Sequence, residues 1–252
     1  IRQLDKAALI KALEALGEKP FRGKQVYEWL WKKSATSFDE MTNLSKSLRD
    51  KLKANFEILP IALHQAQYSN DGTIKSAFKL HDNHLIEGVL IPTDTRATAC
   101  VSSQVGCSLS CKFCATGFMK RMRNLEAGEI YDQVVLINKQ SEERFNGKPL
   151  SNIVFMGMGE PLLNFKNVLT AIDKITSPEG LNMSPKRITV STAGIAKMIR
   201  KLADEEVKFN LALSLHAAND EKRNTIMPIN EQNNIEVLVD ALNYFYQKTK
   251  GK

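Results

Sequence analysis

The 252-residue chain contains no apolar run approaching the ~20 residues that a membrane-crossing helix needs. It has no low-complexity tract and no internal repeat visible in the sequence. These absences argue against a transmembrane helix, a linker-dominated chain and a solenoid. Cysteine is scarce: the four residues all fall between Cys100 and Cys114, too crowded to staple a fold through disulfides. The four histidines, His64, His81, His84 and His216, stand at no zinc-finger spacing. The first residues form an amphipathic helical pattern and lack the profile of an export signal. Together with the clustered thiols this points to the reducing cytoplasm. Hydrophobic content of 43% and charged content of 25% are those of an ordinary globular protein, long enough for one large domain and a small one. The net charge of +7 favours a polyanionic partner without proving one.

Three segments differ in pattern. Residues 1–58 read as helix throughout, with Leu4, Ala8, Leu9, Ala12, Leu13 and Leu16 at helical spacing and Gly17 closing the run. Further helices are expected over 21–33 and 44–57. The segment carries twelve Lys/Arg against eight Asp/Glu. It reads either as plain core packing around Trp29 and Trp31 or as a small RNA-docking module with Arg22, Lys24, Lys32 and Lys33 outward. Residues 59–95 form a β-meander, with strands expected over 61–68, 73–81 and 84–92 and turns at Ser69-Asn-Asp-Gly72 and Asp82-Asn83. From 96 to 252 strands and helices alternate. Strands are expected over 96–103, 153–156, 187–190 and 209–214, and helices over 125–140, 165–176, 195–204 and 235–247. Repeated β/α units imply an α/β fold with a parallel sheet or barrel and a site at the strands' C-terminal ends. Four units cannot close a full barrel, so the fold expected is a partial (β/α) barrel, preceded by the meander and the helical domain.

The chemistry concentrates at those strand ends. Cys107, Cys111 and Cys114 follow the first strand in a C-x3-C-x2-C loop. Three thiolates this close can converge on one iron–sulfur cluster or one soft metal. A [4Fe–4S] cluster normally takes four cysteines, so three leave one iron free for a substrate. A structural zinc would want a fourth ligand that the spacing does not supply. The second strand ends in Gly157-Met-Gly159-Glu160-Pro161, the third in Ser191-Thr-Ala-Gly194, the fourth in Ser214-Leu215-His216. Taken one at a time these are ordinary loop and capping residues. Taken together beside the cysteine loop, they read as one pocket for a nucleoside and an amino acid. The two glycines are expected to let the backbone approach a ligand. Cys100 is the one thiol the cluster does not need, either a buried strand cysteine or a functional one. Glu87, set among apolar residues, suits a base, or is simply an exposed strand residue. Lys120, Arg121 and Arg123 form either an RNA-phosphate contact at the pocket mouth or a solvated basic face.

The chain resembles the RlmN/Cfr family of radical S-adenosylmethionine (SAM) RNA methyltransferases. The resemblance rests on the cysteine loop, Cys100-Val-Ser-Ser-Gln-Val-Gly-Cys107, Arg123-Asn-Leu-Glu-Ala-Gly-Glu129, Phe155-Met-Gly-Met-Gly-Glu-Pro161, Ile188-Thr-Val-Ser-Thr-Ala-Gly194, Ser214-Leu-His216 and Met227-Pro-Ile-Asn230, with Phe21-Arg-Gly-Lys-Gln-Val26 near the start. It spans nearly the whole sequence, and Glu160-Pro161-Leu-Leu-Asn164 favours the RlmN branch. It implies an enzyme that methylates C2 of an adenine in 23S rRNA, and possibly the adenine beside the tRNA anticodon. A Cfr-like enzyme would methylate C8. C2 is an amidine carbon without nucleophilic character, which explains a radical route started by cofactors. The resemblance further implies that Cys107, Cys111 and Cys114 ligate a [4Fe–4S] cluster. Gly159, Glu160, Ser191, Ser214, Leu215 and His216 would bind SAM. Cys100 would resolve a protein–RNA intermediate through a disulfide, and Glu87 would accept a proton. It implies 23S rRNA and possibly tRNA as partners, a flavodoxin-type electron donor, no membrane, and a monomer.

The sequence departs from that family in one respect. The family's methyl carrier is a late cysteine, yet none follows Cys114, and a late SAM-binding asparagine also has no counterpart. The expectation is therefore a chain lacking the last part of the barrel. Two further readings stay open: a non-catalytic, metal-containing RNA-binding module, and a radical-SAM enzyme acting on protein.

Overall fold

Three helices open the chain in the computed structural model, which describes residues 1–250: α1 (Lys6–Ala15), α2 (Pro20–Trp31) and α3 (Lys46–Asn55). Asp5 caps α1 by accepting from the Ala8 amide at 2.7 Å, and Ser45 caps α3 through Leu48 at 3.2 Å. Pro20 opens α2, where a missing amide hydrogen costs nothing. Leu9, Leu13, Val26, Leu30, Leu48 and Leu52 pack the faces between them. The two tryptophans divide. Trp31 is 1% exposed and meets Tyr131 edge-on at 5.1 Å. Trp29 stays half-buried, with Lys33 over its ring at 4.1 Å.

The strands β1 (Ala62–Tyr68), β2 (Ile74–Lys79), β3 (Leu85–Pro92) and β4 (Ala97–Cys100) form an antiparallel meander. Both expected turns are present, closed by the Gly72 amide on the Ser69 carbonyl and by Asn83 in the left-handed region. A two-strand ladder of β5 (Gln104–Val105) and β6 (Arg123–Asn124) brackets the cysteine loop. Then follow α4 (Ala127–Arg144), β7 (Asn152–Phe155), α5 (Phe165–Thr176), β8 (Ile188–Thr192), α6 (Ala196–Asp204), β9 (Asn210–Leu213), α7 (Asp220–Ile226) and α8 (Ile235–Thr249). The first strand of the parallel set is also the last of the meander: β4, β7, β8 and β9 are parallel, and the whole sheet runs β1-β2-β3-β4-β7-β8-β9. The α/β architecture, with β/α units on parallel strands behind a meander and N-terminal helices, is as expected, and the four parallel strands continue the meander in one seven-stranded sheet. The segments 1–58, 59–95 and 96–250 are thus joined by hydrogen bonding and packing, the second to the third through β3–β4.

Helical periodicity places apolar stripes on the sheet: Val168, Ala171, Ile172 and Ile175 of α5, Ile199, Leu202 and Ala203 of α6, and Leu238, Ala241 and Phe245 of α8. The strand expected over 96–103 stops at Cys100 because the next residues are captured elsewhere. Gln133 of α4 accepts from the Ser102 amide at 2.8 Å and donates to its carbonyl at 3.1 Å. The helix α7, covering a stretch the sequence left unassigned, is capped by Asn219 through Lys222 at 2.9 Å. Among the described residues no helix is long and apolar enough to cross a membrane.

Trp31 ties the N-terminal helices to α4, so Trp31→Ala should lower stability by about 3–5 kcal/mol, measured by denaturant unfolding. A loss below about 1 kcal/mol would mean that the helical layer rests on other contacts.

Candidate cofactor site at the strand ends

The C-terminal ends of β7, β8 and β9 and the cysteine loop that follows β4 and β5 open onto one cavity of about 390 Å³. That lies within the ~300–1,000 Å³ of small-molecule sites. Cys107, Cys111 and Cys114 line it from one side, and Gly159, Glu160, Ser191, Ser214 and His216 from the other. Met156, Thr192 and Met227 also line it and were not singled out by the sequence. Eight of the residues expected at the site are therefore brought together. Leu215 lies at the rim with an exposed side chain, between two lining residues.

The cysteine loop is folded back on itself. The Cys114 amide donates to the Cys111 carbonyl at 3.1 Å, and the Gly117 amide to the Cys114 carbonyl at 2.9 Å. The Lys112 amide reaches the Ile226 carbonyl at 2.9 Å, tying the loop to the end of α7. Phe113 stacks on His216, ring centroids 4.0 Å apart and tilted by 40°. Burial pushes the Cys107 thiol up. Burial, then the neighbouring thiols, push Cys111 from the ordinary 9.0 to about 11. Among the described residues no three His, Cys, Asp or Glu side chains are placed to hold a single metal ion. Three thiols of one loop on one cavity fit a cluster that takes each thiolate on a different iron. A structural tetrahedral zinc would need a fourth ligand that this loop does not supply.

The glycine-rich turn works differently from expectation. A side chain on Gly157 would meet Ser102 Oγ at 2.7 Å and the Val101 carbonyl at 2.8 Å. Gly159 adopts φ +96°, and a Cβ there would meet Gln104 Cβ at 2.5 Å. The glycines thus let the β7 turn approach the chain leaving β4, as well as the cavity. Gln104 accepts from the Glu160 amide at 2.9 Å. Glu160 is buried, which raises its pKa, and its two oxygens accept from Leu162 at 3.0 Å and Ala193 at 2.8 Å. The Ser191 and Ser214 hydroxyls sit 3.2 Å apart across β8 and β9.

Two expected residues lie outside this cavity. Cys100 is buried beneath it at the end of β4, with the Met156 amide donating to its sulfur. Burial raises its pKa. Glu87 does not sit in the apolar surroundings inferred for it. Alternation along β3 puts its side chain outward, 49% exposed and 2.7 Å from Lys75 Nζ. Its carbonyl accepts from Ser102 Oγ at 2.5 Å, so its backbone still borders the cavity's end of the sheet. Arg123 is also not a free cation. Its guanidinium pairs with Asp82 at 2.5 Å and with both Glu129 oxygens at 2.8 Å, holding Asp82 well below the usual carboxylate range. Lys120 and Arg121 remain exposed, without carboxylate partners among the described residues. One buried side chain went unnoticed in the sequence: Arg223, within hydrogen-bonding reach of the ends of β8 and β9. Only its nearness to Met227-Pro-Ile-Asn230 hinted at a role.

Residues 101–250 match the model of the radical SAM superfamily, and residues 1–58 that of the ribosomal RNA large subunit methyltransferase N-terminal domain. A solved structure described as a radical SAM methyltransferase from Sphaerobacter thermophilus superposes with a TM-score of 0.91 at 39% identity, covering 99% of this chain and 73% of that one. The chain belongs to the radical SAM superfamily. A Cytophaga hutchinsonii protein named "Probable dual-specificity RNA methyltransferase RlmN" is 66% identical, covering 99% of this chain and 68% of its own length. A protein of the same name from Christiangramia forsetii is 61% identical, covering 100% and 71%. Within the superfamily, the chain is a member of the RlmN family of RNA methyltransferases.

In the metal-free protein, a difference titration of thiolate ultraviolet absorbance between wild type and Cys111→Ser should show a Cys111 midpoint near 11. The sign follows from a neutral form favoured by folding. Cys111 adds stability below pH 9 that is lost as pH rises from 9 toward 11. A midpoint at or below 9 would contradict the buried setting assigned to the loop.

Proposed function

We propose that this chain carries the cluster- and SAM-binding part of an enzyme that methylates C2 of an adenine in 23S rRNA and the adenine beside the tRNA anticodon. One observation carries the reading: three cysteines of one loop and the polar ends of three successive strands line a single cavity. Cys107, Cys111 and Cys114 would hold a [4Fe–4S] cluster. Gly159, Glu160, Ser191, Ser214, Leu215 and His216 would hold SAM beside it. When bound, cluster and SAM supply a 5′-deoxyadenosyl radical, fed by a flavodoxin-type electron donor.

The chain's own residues orient, shield and move protons. Glu160 has lone pairs left beyond its two backbone donors and offers them to the SAM ammonium group. Cys100 would resolve the protein–RNA intermediate through a disulfide, a step for which its thiol, held protonated by burial, must first lose its proton. Glu87 would accept a proton on parting from Lys75. Helices α1–α3 would dock RNA through Arg22, Lys24, Lys32 and Lys33. The cytoplasm is the compartment this chemistry requires, since the thiols must stay reduced.

Deleting the gene for this chain should remove 2-methyladenine from the organism's 23S rRNA. Loss of 8-methyladenine instead would move the activity to C8, and loss of neither would overturn the RNA reading.

Lys120 and Arg121 line a second cleft beside Cys107 and Gly117 and should contact RNA phosphates, whereas Arg123, already paired, should not. In Lys120→Ala/Arg121→Ala the slope of log affinity against log salt should fall by about 0.7 per lost contact, on a substrate hairpin RNA. An unchanged slope would remove these residues from the interface.

A further inference from the structure

Arg223 is a charged side chain that the chemistry above leaves unused, and it is 0% exposed. Its Nε donates to the Leu215 carbonyl at 3.0 Å. Its Nη2 donates to the Ala193 carbonyl at 2.6 Å and the Ser214 carbonyl at 3.3 Å. Its Nη1 donates to Asn230 Oδ1 and, at 3.5 Å, to the Asn233 carbonyl. Every one of these acceptors is neutral. The adjacent carboxylate, Asp220, accepts from Asn230 Nδ2 at 2.8 Å, and its link to Arg223 runs through that amide. A buried guanidinium without a directly paired carboxylate is expensive for the fold. What it organises explains its place.

The groups it holds lie at the ends of β8 and β9 and in the segment that follows α7. Ala193 is gripped from both sides: its amide donates to Glu160 Oε2 at 2.8 Å and its carbonyl accepts from Arg223. Fixing the Leu215 carbonyl sets the entry to His216, whose φ of +58° lies in the left-handed region. That conformation is disfavoured for an L-residue, so something must hold it. The His216 ring then stacks on Phe113, between Cys111 and Cys114. The helix that carries Arg223 ends at Ile226, whose carbonyl holds the Lys112 amide of the same cysteine loop. One side chain and its helix therefore touch the ends of β8 and β9 and the loop of thiols.

We propose that Arg223 is a positioning residue for the cofactor pocket: its planar fork holds the ends of β8 and β9 in the SAM-binding conformation and in register with the cysteine loop. This rests on reading the cavity as the SAM site. Lysine keeps the charge but, as a point donor, cannot span carbonyls from two strand ends and an asparagine at once.

The test uses the chain reconstituted with iron and sulfide, SAM binding by equilibrium dialysis, and the EPR spectrum of the reduced cluster. Arg223→Lys should load iron and give the wild-type spectrum without SAM, yet bind SAM at least about tenfold more weakly, as the loss of one or two charge-assisted hydrogen bonds implies. The control is Ile175→Ala, a cavity on the buried face of α5 remote from the strand-end loops, which should lower stability and leave SAM affinity unchanged. Wild-type SAM affinity in Arg223→Lys overturns the proposal, as does an equal loss in Ile175→Ala. If Arg223→Lys does not fold, Asn230→Ala, which removes an Nη1 acceptor together with the Asn230 bonds to Asp220 and Asn224 and leaves Ala193, Ser214 and Leu215 their Arg223 donors, decides: a weaker SAM complex supports the proposal and an unchanged one refutes it. Wild-type protein that loads a cluster but binds no SAM would take down the pocket reading itself, an outcome distinct from a wild type that binds while the variants match it.

Discussion

The site depends on holding the ends of separate parallel strands in one arrangement, because no single strand carries more than a fragment of it. Parallel strands leave their terminal peptide groups without ladder partners, and those groups must be satisfied where the chain turns away. Two buried charges of opposite sign do this. Glu160 accepts backbone amides of Leu162 and Ala193, and Arg223 donates to backbone carbonyls of Ala193, Ser214 and Leu215. They meet at Ala193, where one peptide unit's neighbours on both sides are held. Burial would penalise each charge alone, and each is offset by oriented backbone dipoles. The outcome is a rigid rim around a polar cavity that opens toward the three thiols.

On the other side of the cavity the same problem is solved with neutral amides. Gln133 clasps the Ser102 peptide, Gln104 holds Glu160, and Asn164 donates to the Ser103 and Leu125 carbonyls at 2.8 and 2.7 Å. These side chains direct the chain out of β4, across β5, and into the cysteine loop. Because β4 is shared between meander and parallel set, Cys100 and the backbone of Glu87 sit at the same sheet end as the cluster loop, though neither lines its cavity. A buried thiol at the end of β4 and an ion-paired carboxylate on β3 therefore lie near the cysteine loop without lining the cavity.

Much of this was legible in the sequence, for physical reasons. Parallel strands show continuous apolar runs, as in Ile153-Val-Phe155, even where alternate residues stay half-buried, and amphipathic helices show their stripes, so the α/β order and the site's end of the sheet could be read. The cysteine spacing is local and needs no tertiary knowledge. What stayed hidden depends on partners distant in sequence. Arg223 looks like any helix-surface arginine until β8 and β9 close over it. Arg123 looks like part of a basic run until Asp82 and Glu129 arrive from elsewhere. Glu87 lies among apolar residues in sequence, yet strand alternation turns it outward, a matter of register that composition does not carry. The glycines of the β7 turn declared a close approach without declaring to what.

The most direct measurement is the EPR spectrum of the anaerobically reconstituted, reduced chain with and without SAM. The account predicts a [4Fe–4S] signal, lost when Cys107, Cys111 or Cys114 is replaced by alanine, whose shape changes on adding SAM. A protein that takes up a single zinc in place of a cluster, or a cluster whose signal ignores SAM, would contradict it.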